Sequence, residues 1–302
     1  MYQITKLVWI FLCFALISCS SNDDKEQIDS EQVLYEKAQK RLNSGQWDSA
    51  IETLQLLEEY FPFGYFAEQA QLELIYAQYK ADEQDLAIAA ADRFIRLHPQ
   101  SRNVDYAYYM RGVAAFHNDS AFVSMLPTDT TSRDPGTASD AFNYFAQLIN
   151  RFPESKYALD AQKRMTFIRN AEARYEIHVA NYYFKRGAYL AAANRGKYVV
   201  ENLQRSPAVP DALAVMAQAY HLLGMDELSN NAVKVLQHNY PKHPTLGKDG
   251  DFNFQFGRDQ KRSWINYLTL GLFEKRKYPS FDSRKQYNPF YSDKGLEPPQ
   301  RG

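Results

Sequence analysis

The chain has 302 residues, 45% of them hydrophobic, and 35 Lys and Arg against 36 Asp and Glu leave a formal net charge of −1. That length allows one extended domain or two compact ones, and the charge balance argues against nucleic acid or another polyanion as partner. Only two cysteines, Cys13 and Cys19, are present, so neither a disulfide framework nor a Cys-based zinc site is expected.

In chain order, the first element is an apolar run from Leu7 to Ile17, preceded by Lys6 and followed by a polar stretch from Ser20 to Ser30. A bilayer core needs roughly 20 apolar residues, so this run is too short to span it. A charged start, a short apolar run and small residues before a cleavage point make a secretory signal. The word Leu16-Ile17-Ser18-Cys19 resembles a bacterial lipoprotein signal. That resemblance implies a signal peptide over residues 1–18, acylation of Cys19, a flexible linker over residues 19–30, and sorting to the outer membrane because Ser20 follows. An ordinary signal with a chance cysteine is the alternative.

Residues 31–241 carry almost no strand pattern but a recurring helical one. The unit Gly45-Gln46-Trp47-Asp48-Ser49-Ala50 leads to Leu54, Leu57 and Pro62, and Gly224 leads in the same phase to Val233, Leu236 and Pro241. Gly187, Tyr189 and Ala192 repeat the start. Ala87, Ala91, Phe94 and His98-Pro99 repeat the end, and Gly136, Ala141, Phe145, Leu148 and Pro153 make a further unit. Gly supplies the turn between two helices, a small residue lets them approach, large apolar residues fill the seam, and Pro stops the second helix.

A period of about 34 residues with this pattern is the tetratricopeptide signature. The prolines at 62, 99, 153, 207 and 241 are spaced by 37, 54, 54 and 34 positions. The long gaps are read as a loop over residues 119–136, with Pro127, Pro135 and Gly136 as breakers, and as extra helix between Pro153 and Gly187. The expected fold is all-α: a tetratricopeptide-repeat solenoid of five helix pairs over residues 31–245. A non-repeating helical bundle is the alternative.

Residues 246–302 form a C-terminal extension with 11 Lys and Arg, 7 Asp and Glu and 11 aromatics. A short helix is expected over residues 263–276, carrying Trp264, Tyr267, Leu268 and Gly271 on one face. Beyond Tyr278 the prolines, glycines and scattered aromatics argue against a packed unit and for partial disorder. The extension either drapes over the last repeat or serves as a partner-binding or membrane-surface arm.

Catalytic signatures are missing. None of the six histidines lies in a His-Glu-x-x-His motif, and neither a phosphate-cradling Gly loop nor Gly-x-Ser-x-Gly occurs. No enzyme activity, cofactor or metal is expected. A first-helix groove of such a repeat takes extended peptides. The aromatics Tyr65, Tyr76, Tyr79, Tyr106, Tyr108 and Tyr109, edged by Arg93, Arg96 and Arg111, would suit a segment ending in an aromatic residue and a carboxylate. For each Tyr, core filling between helices is the competing reading. Arg93 and Arg96 fall on a second helix, where a solvated face competes.

The runs Phe61-Pro62-Phe63-Gly64, Gln71 to Ala77, Asp92 to Leu97, Asp105-Tyr106, Tyr109 to Gly112 and Ser132 to Pro135 resemble the BamD family. These are lipoproteins of the outer-membrane β-barrel assembly machine, and the similarity covers roughly residues 31–240. It implies that the N-terminal repeats capture the C-terminal sorting segment of unfolded outer-membrane proteins. It also implies that repeats four and five dock onto the POTRA domain of the barrel subunit, alongside other assembly-machine lipoproteins. Arg195, beside Gly196, is the docking candidate, with a salt bridge inside the solenoid as its competing role. A pilotin for a secretin or pilus pore and a cell-wall hydrolase are the rival functions.

Overall fold

The computed structural model describes residues 30–120, 138–255 and 278–283. The signal, Cys19, most of the inserted loop and the helix expected over residues 263–276 therefore lie outside the described residues.

Ten helices follow one another among the described residues: α1 (Glu31–Asn43), α2 (Trp47–Tyr60), α3 (Ala67–Lys80), α4 (Gln84–Leu97) and α5 (Val104–Ser120), then α6 (Ala138–Arg151), α7 (Ala158–Arg186), α8 (Tyr189–Asn202), α9 (Val209–Leu222) and α10 (Asp226–Asn239). Within the first unit α1 packs on α2, and within the second each helix from α4 through α9 packs on the next, the arrangement of a tetratricopeptide-like helical repeat. The extra length expected before Gly187 is a single helix, the 29-residue α7. The chain divides into two compact units, residues 1–70 and 71–302.

The second helices share one register. Ala50, Ala87, Ala141 and Ala192 occupy the same position of α2, α4, α6 and α8, all fully buried. Ser229 takes this place in α10 and satisfies its hydroxyl on the Ala217 carbonyl at 2.8 Å. Seven positions later come Leu57, Phe94, Leu148, Val199 and Leu236, again fully buried. A small residue permits close approach and a large one fills the seam, each large side chain contributing on the order of 2 kcal/mol.

The turns repeat as closely as the helices. Gly45, Gly187 and Gly224 have φ near +70°, and Asp82 takes the same left-handed conformation at +66°. In all four turns the following N–H reaches back to a carbonyl five residues earlier, as from Glu83 to Gln78 and from Ala188 to Tyr183. This satisfies an otherwise orphaned helix-end carbonyl.

The pairs end in a common way too. Phe61, His98, Phe152, Leu203 and Tyr240 cap the second helices, each donating its N–H four residues back. From 61 to 98 and from 203 to 240 is 37 positions, so these pairs repeat at 37 rather than 34. In the fourth pair the residue matching Pro62 is Gln204, and Pro207 lies deeper in the turn. Proline counting displaced the register there.

Beyond α10 the chain does pack. Leu246 pairs with Phe252 in an antiparallel bridge, and Phe252 and Phe281 are buried in the cluster formed by α7, α8, α9 and α10. The composition beyond Tyr278 argues against a packed unit there, while leaving open that the extension drapes over the last repeat. Burial of Phe281 shows that residues 278–283 do pack, draped over the last repeats.

Candidate functional site

In the first unit Tyr65 stands 90% exposed, next to Phe63 at 98%. Their loop is held from below. The Glu31 carboxylate accepts the Phe66 N–H at 2.6 Å, and Tyr35 stacks on the Phe66 ring with centroids 4.3 Å apart. A fixed loop thus presents two aromatic rings to solvent. Tyr65, read from the sequence as a first-helix aromatic, lies instead in the loop before α3, and its loop neighbour Phe63 was not a candidate.

The second unit carries a row of half-buried tyrosines. Tyr76 and Tyr79 of α3 and Tyr106 and Tyr109 of α5 rest on one apolar cluster. Tyr157, at the start of α7, completes the row by stacking on Tyr109 at 4.7 Å and meeting Tyr106 at 5.7 Å. The Tyr109 hydroxyl donates to Asp160 at 2.8 Å, and Arg164 holds the same carboxylate at 2.5 Å. Burial, together with this hydrogen bond, pushes the Tyr109 phenol up to about 12, and burial raises Tyr106 further. The single Tyr109 hydroxyl proton is thereby committed to Asp160. First helices α3, α5 and α7 supply every ring in the row. Tyr157, Asp160 and Arg164 were missed because they lie about fifty positions from their α5 partners.

Two candidates sit deeper. The Tyr108 ring is buried, 5.4 Å from Phe152. Arg111 is buried as well; its guanidinium bonds Asp92 of α4 at 2.5 Å and Gln147 of α6 at 2.7 Å, and lies 4.3 Å from the Tyr144 ring. It fastens three helices together. Arg93 and Arg96 are exposed on α4.

Arg195 of α8 lies on a different surface. Its guanidinium meets both oxygens of Glu176 of α7, at 3.1 and 3.2 Å, while its side chain stays 42% exposed. Tyr198 donates to Glu172 at 2.8 Å, which pushes its phenol up to about 12. Glu176, Tyr183, Ala191, Asn194, Arg195 and Tyr198 line an open depression of about 560 Å³. Both readings of Arg195 thus have a physical basis: it is paired inside the repeat and still presents charge outward.

A polar hub is buried behind α9. Asp211, in the first turn of that helix, receives Arg174 of α7, the His243 Nε2 at 3.1 Å and the Ser283 N–H at 3.2 Å. His243 Nδ1 accepts the Thr245 N–H at 3.4 Å, which leaves Nε2 as the donor. A buried carboxylate needs this many partners to remain charged.

Helix pairs presenting an aromatic first-helix row define a repeat-type binding scaffold. Residues 27–236 match the family model YfiO, described as an outer membrane lipoprotein. The outer membrane protein assembly factor BamD of Neisseria meningitidis serogroup A is 42% identical over 247 residues, covering 80% of this chain and 92% of that protein. BamD of Xylella fastidiosa strain Temecula1 is 38% identical over 244 residues, 80% of this chain and 83% of its own length. For Vibrio cholerae BamD the identity is 37% over 225 residues, with 74% and 93% covered. The chain belongs to the BamD family, and is an outer-membrane lipoprotein and a non-enzymatic assembly factor.

Proposed function

We infer that the chain is a lipid-anchored periplasmic scaffold of the outer-membrane β-barrel assembly complex. Lipid on Cys19 tethers it to the periplasmic face of the outer membrane. Its N-terminal repeats bind unfolded outer-membrane proteins, and its C-terminal repeats dock to the POTRA-bearing barrel subunit, with other assembly-machine lipoproteins alongside. The observation that carries this reading is the tyrosine row across α3, α5 and α7. Half-buried rings give an extended chain apolar contact, and a phenol hydroxyl at the edge of a ring can hydrogen-bond its main chain.

Tyr76, Tyr79 and the exposed Arg93 and Arg96 contact substrate in this reading, with Tyr65 as a further contact from its loop. Tyr108 and Arg111 hold the wall in place from inside. Arg195 offers the barrel subunit a cation already oriented by Glu176. Binding at these faces positions substrate and biases the barrel's conformations, since a ligand shifts populations only by its differential affinity.

Affinity capture of the tagged lipoprotein from gently solubilised envelopes tests the assignment, with stoichiometric partners identified by mass spectrometry. A POTRA-bearing barrel is the expected partner, and Arg195→Ala should weaken its recovery. Recovery of a secretin or pilus component would overturn the assignment in favour of pore piloting. Cys19→Ala should yield a folded protein released from the membrane; a variant that still floats with membranes would show another anchor.

A further inference from the structure

Residues 278–283 lie in the last repeats in a form proper to a ligand. Pro279, Phe281 and Ser283 are buried while Ser280 and Asp282 are exposed, the period of two of an extended strand. Asn181 of α7 brackets Phe281: its Nδ2 donates to the Phe281 carbonyl at 3.0 Å, and its Oδ1 accepts the Phe281 N–H at 2.8 Å. That pairing takes up both main-chain groups of one residue and is indifferent to its side chain. The Phe281 ring is fully buried, 5.6 Å from Phe184 of α7. Ser283 donates its N–H to Asp211, and the Asp282 carboxylate lies 3.9 Å from Arg174.

Main-chain hydrogen bonds that hold the strand, together with pockets for alternate side chains, are how extended peptides are recognised. The recognising groups sit on α7 and α9, 100 and 72 positions before the residues they bind. Stripped of residues 278–283, the Asn181 amide and one face of the Asp211 carboxylate would seek other N–H and C=O groups. We propose that α7, the start of α9 and the turn carrying His243 form a peptide-binding site, and that residues 278–283 are its intramolecular occupant. An extended peptide carrying an aromatic residue followed directly by a carboxylate displaces them. Its contacting residues Arg174, Asn181, Phe184 and Asp211 belong neither to the tyrosine row nor to the Arg195 depression, so it stands or falls apart from the function proposed above.

The probe is a fluorescent hexapeptide with the sequence of residues 278–283, blocked at both ends, titrated against the full chain. The tethered segment competes at an effective concentration of order millimolar. The intact chain should therefore bind the probe at least tenfold more weakly than a Phe281→Ala variant, whose own segment has lost its buried ring. Adding Asn181→Ala to that variant should abolish binding, and so should replacing Phe by Ala in the probe.

A Phe281→Ala chain with full helical signal that fails to bind the probe overturns the proposal. Should that variant lose its helices, hydrogen exchange on the unaltered chain decides. The Phe281 and Ser283 amides should exchange at least tenfold faster than the α9 amides, because a displaceable occupant opens without unfolding the helices. Equal protection would make the segment part of the core and overturn the proposal.

Discussion

Arg174 of α7 and Asp211 of α9, 37 positions apart in sequence, form an ion pair whose side chains are 3% and 1% exposed. Arg174 also donates to the Pro207 carbonyl at 3.0 Å, so it ties α7 to the turn before α9 as well as to the helix itself. Removing one partner of a buried pair strands the other charge, at a cost of about 3 kcal/mol or more. Arg174→Ala should therefore lower the free energy of urea unfolding by that amount. A loss below about 1 kcal/mol, the range of an exposed pair, would show that the hub is hydrated.

The same hub predicts an acid dependence. Burial by itself would raise the Asp211 carboxyl, but the His243 hydrogen bond and the Arg174 charge overcome it and hold the group at about 2, below its ordinary 3.8. The unfolded chain therefore takes up the proton first. The stabilisation is complete above the ordinary value and is lost as pH falls through that range toward 2. Its size is on the order of 2 kcal/mol. Asp211→Asn should be less stable than the unaltered chain at neutral pH, and the gap should narrow by about that amount on acidification. Parallel stability curves for the two proteins would remove Asp211 as the titrating group.

Asp82 tests the turn that joins the helices of each pair. It holds the left-handed backbone that Gly45, Gly187 and Gly224 hold elsewhere, and its carboxylate accepts from Gln84 at 3.1 Å and pairs with His117 at 3.2 Å. Asp tolerates this conformation through such local hydrogen bonds, whereas Ala has neither the bonds nor the freedom of Gly. Asp82→Ala should lose about 1 kcal/mol, while Asp82→Gly should stay within about 0.5 kcal/mol of the parent because relief of strain offsets the lost exposed pair. Thermal melts of the two variants give the ranking directly; Ala as stable as Gly would contradict it.

Much of the fold was legible because its determinants are local. Ala50 with Leu57 and Ala141 with Leu148 mark a helix seam through spacing alone, and Gly45, Gly187 and Gly224 mark turns. The register failed at Pro207 because a proline three positions late still lies in the turn. The turn at Asp82 was invisible because Asp is only an occasional occupant of that conformation. The tyrosine row was half legible. Helical phase placed Tyr76, Tyr79, Tyr106 and Tyr109 on first helices, but it could not separate them from the buried Tyr108, which differs from Tyr109 by one position around α5. Asp211, His243 and Ser283 come together only in three dimensions, and no spacing in the chain encodes their meeting.

Gly196 shows how tightly α8 and α9 approach. A Cβ at this position would stand 2.8 Å from the Ala212 carbonyl oxygen and 3.0 Å from the Met216 Cγ. The Met side chain can shift, but the carbonyl belongs to a helix and cannot. Gly196→Ala would gain helix propensity of about 1 kcal/mol and suffer overpacking of about 1–3 kcal/mol, so a net loss is expected. The melting temperature should fall. A rise would mean that α9 yields at Ala212.

Arg111 and Tyr76 separate support from contact. Arg111 holds Asp92 and Gln147 from inside the repeat, whereas Tyr76 is half-buried in the row, with the Lys80 ammonium 5.7 Å from its ring centre. Truncating Arg111 leaves Asp92 without its cation and opens a gap beside Tyr144, so Arg111→Ala should cost about 2–4 kcal/mol of stability. Tyr76→Ala removes ring area from the face and should cost about 1 kcal/mol, while weakening binding of a C-terminal outer-membrane-protein peptide by about tenfold, the worth of one anchoring aromatic. Chemical unfolding and peptide titration on both variants check this split. If Arg111→Ala keeps its stability and loses only peptide affinity, the guanidinium reaches the peptide itself and the division of roles drawn from its burial is wrong.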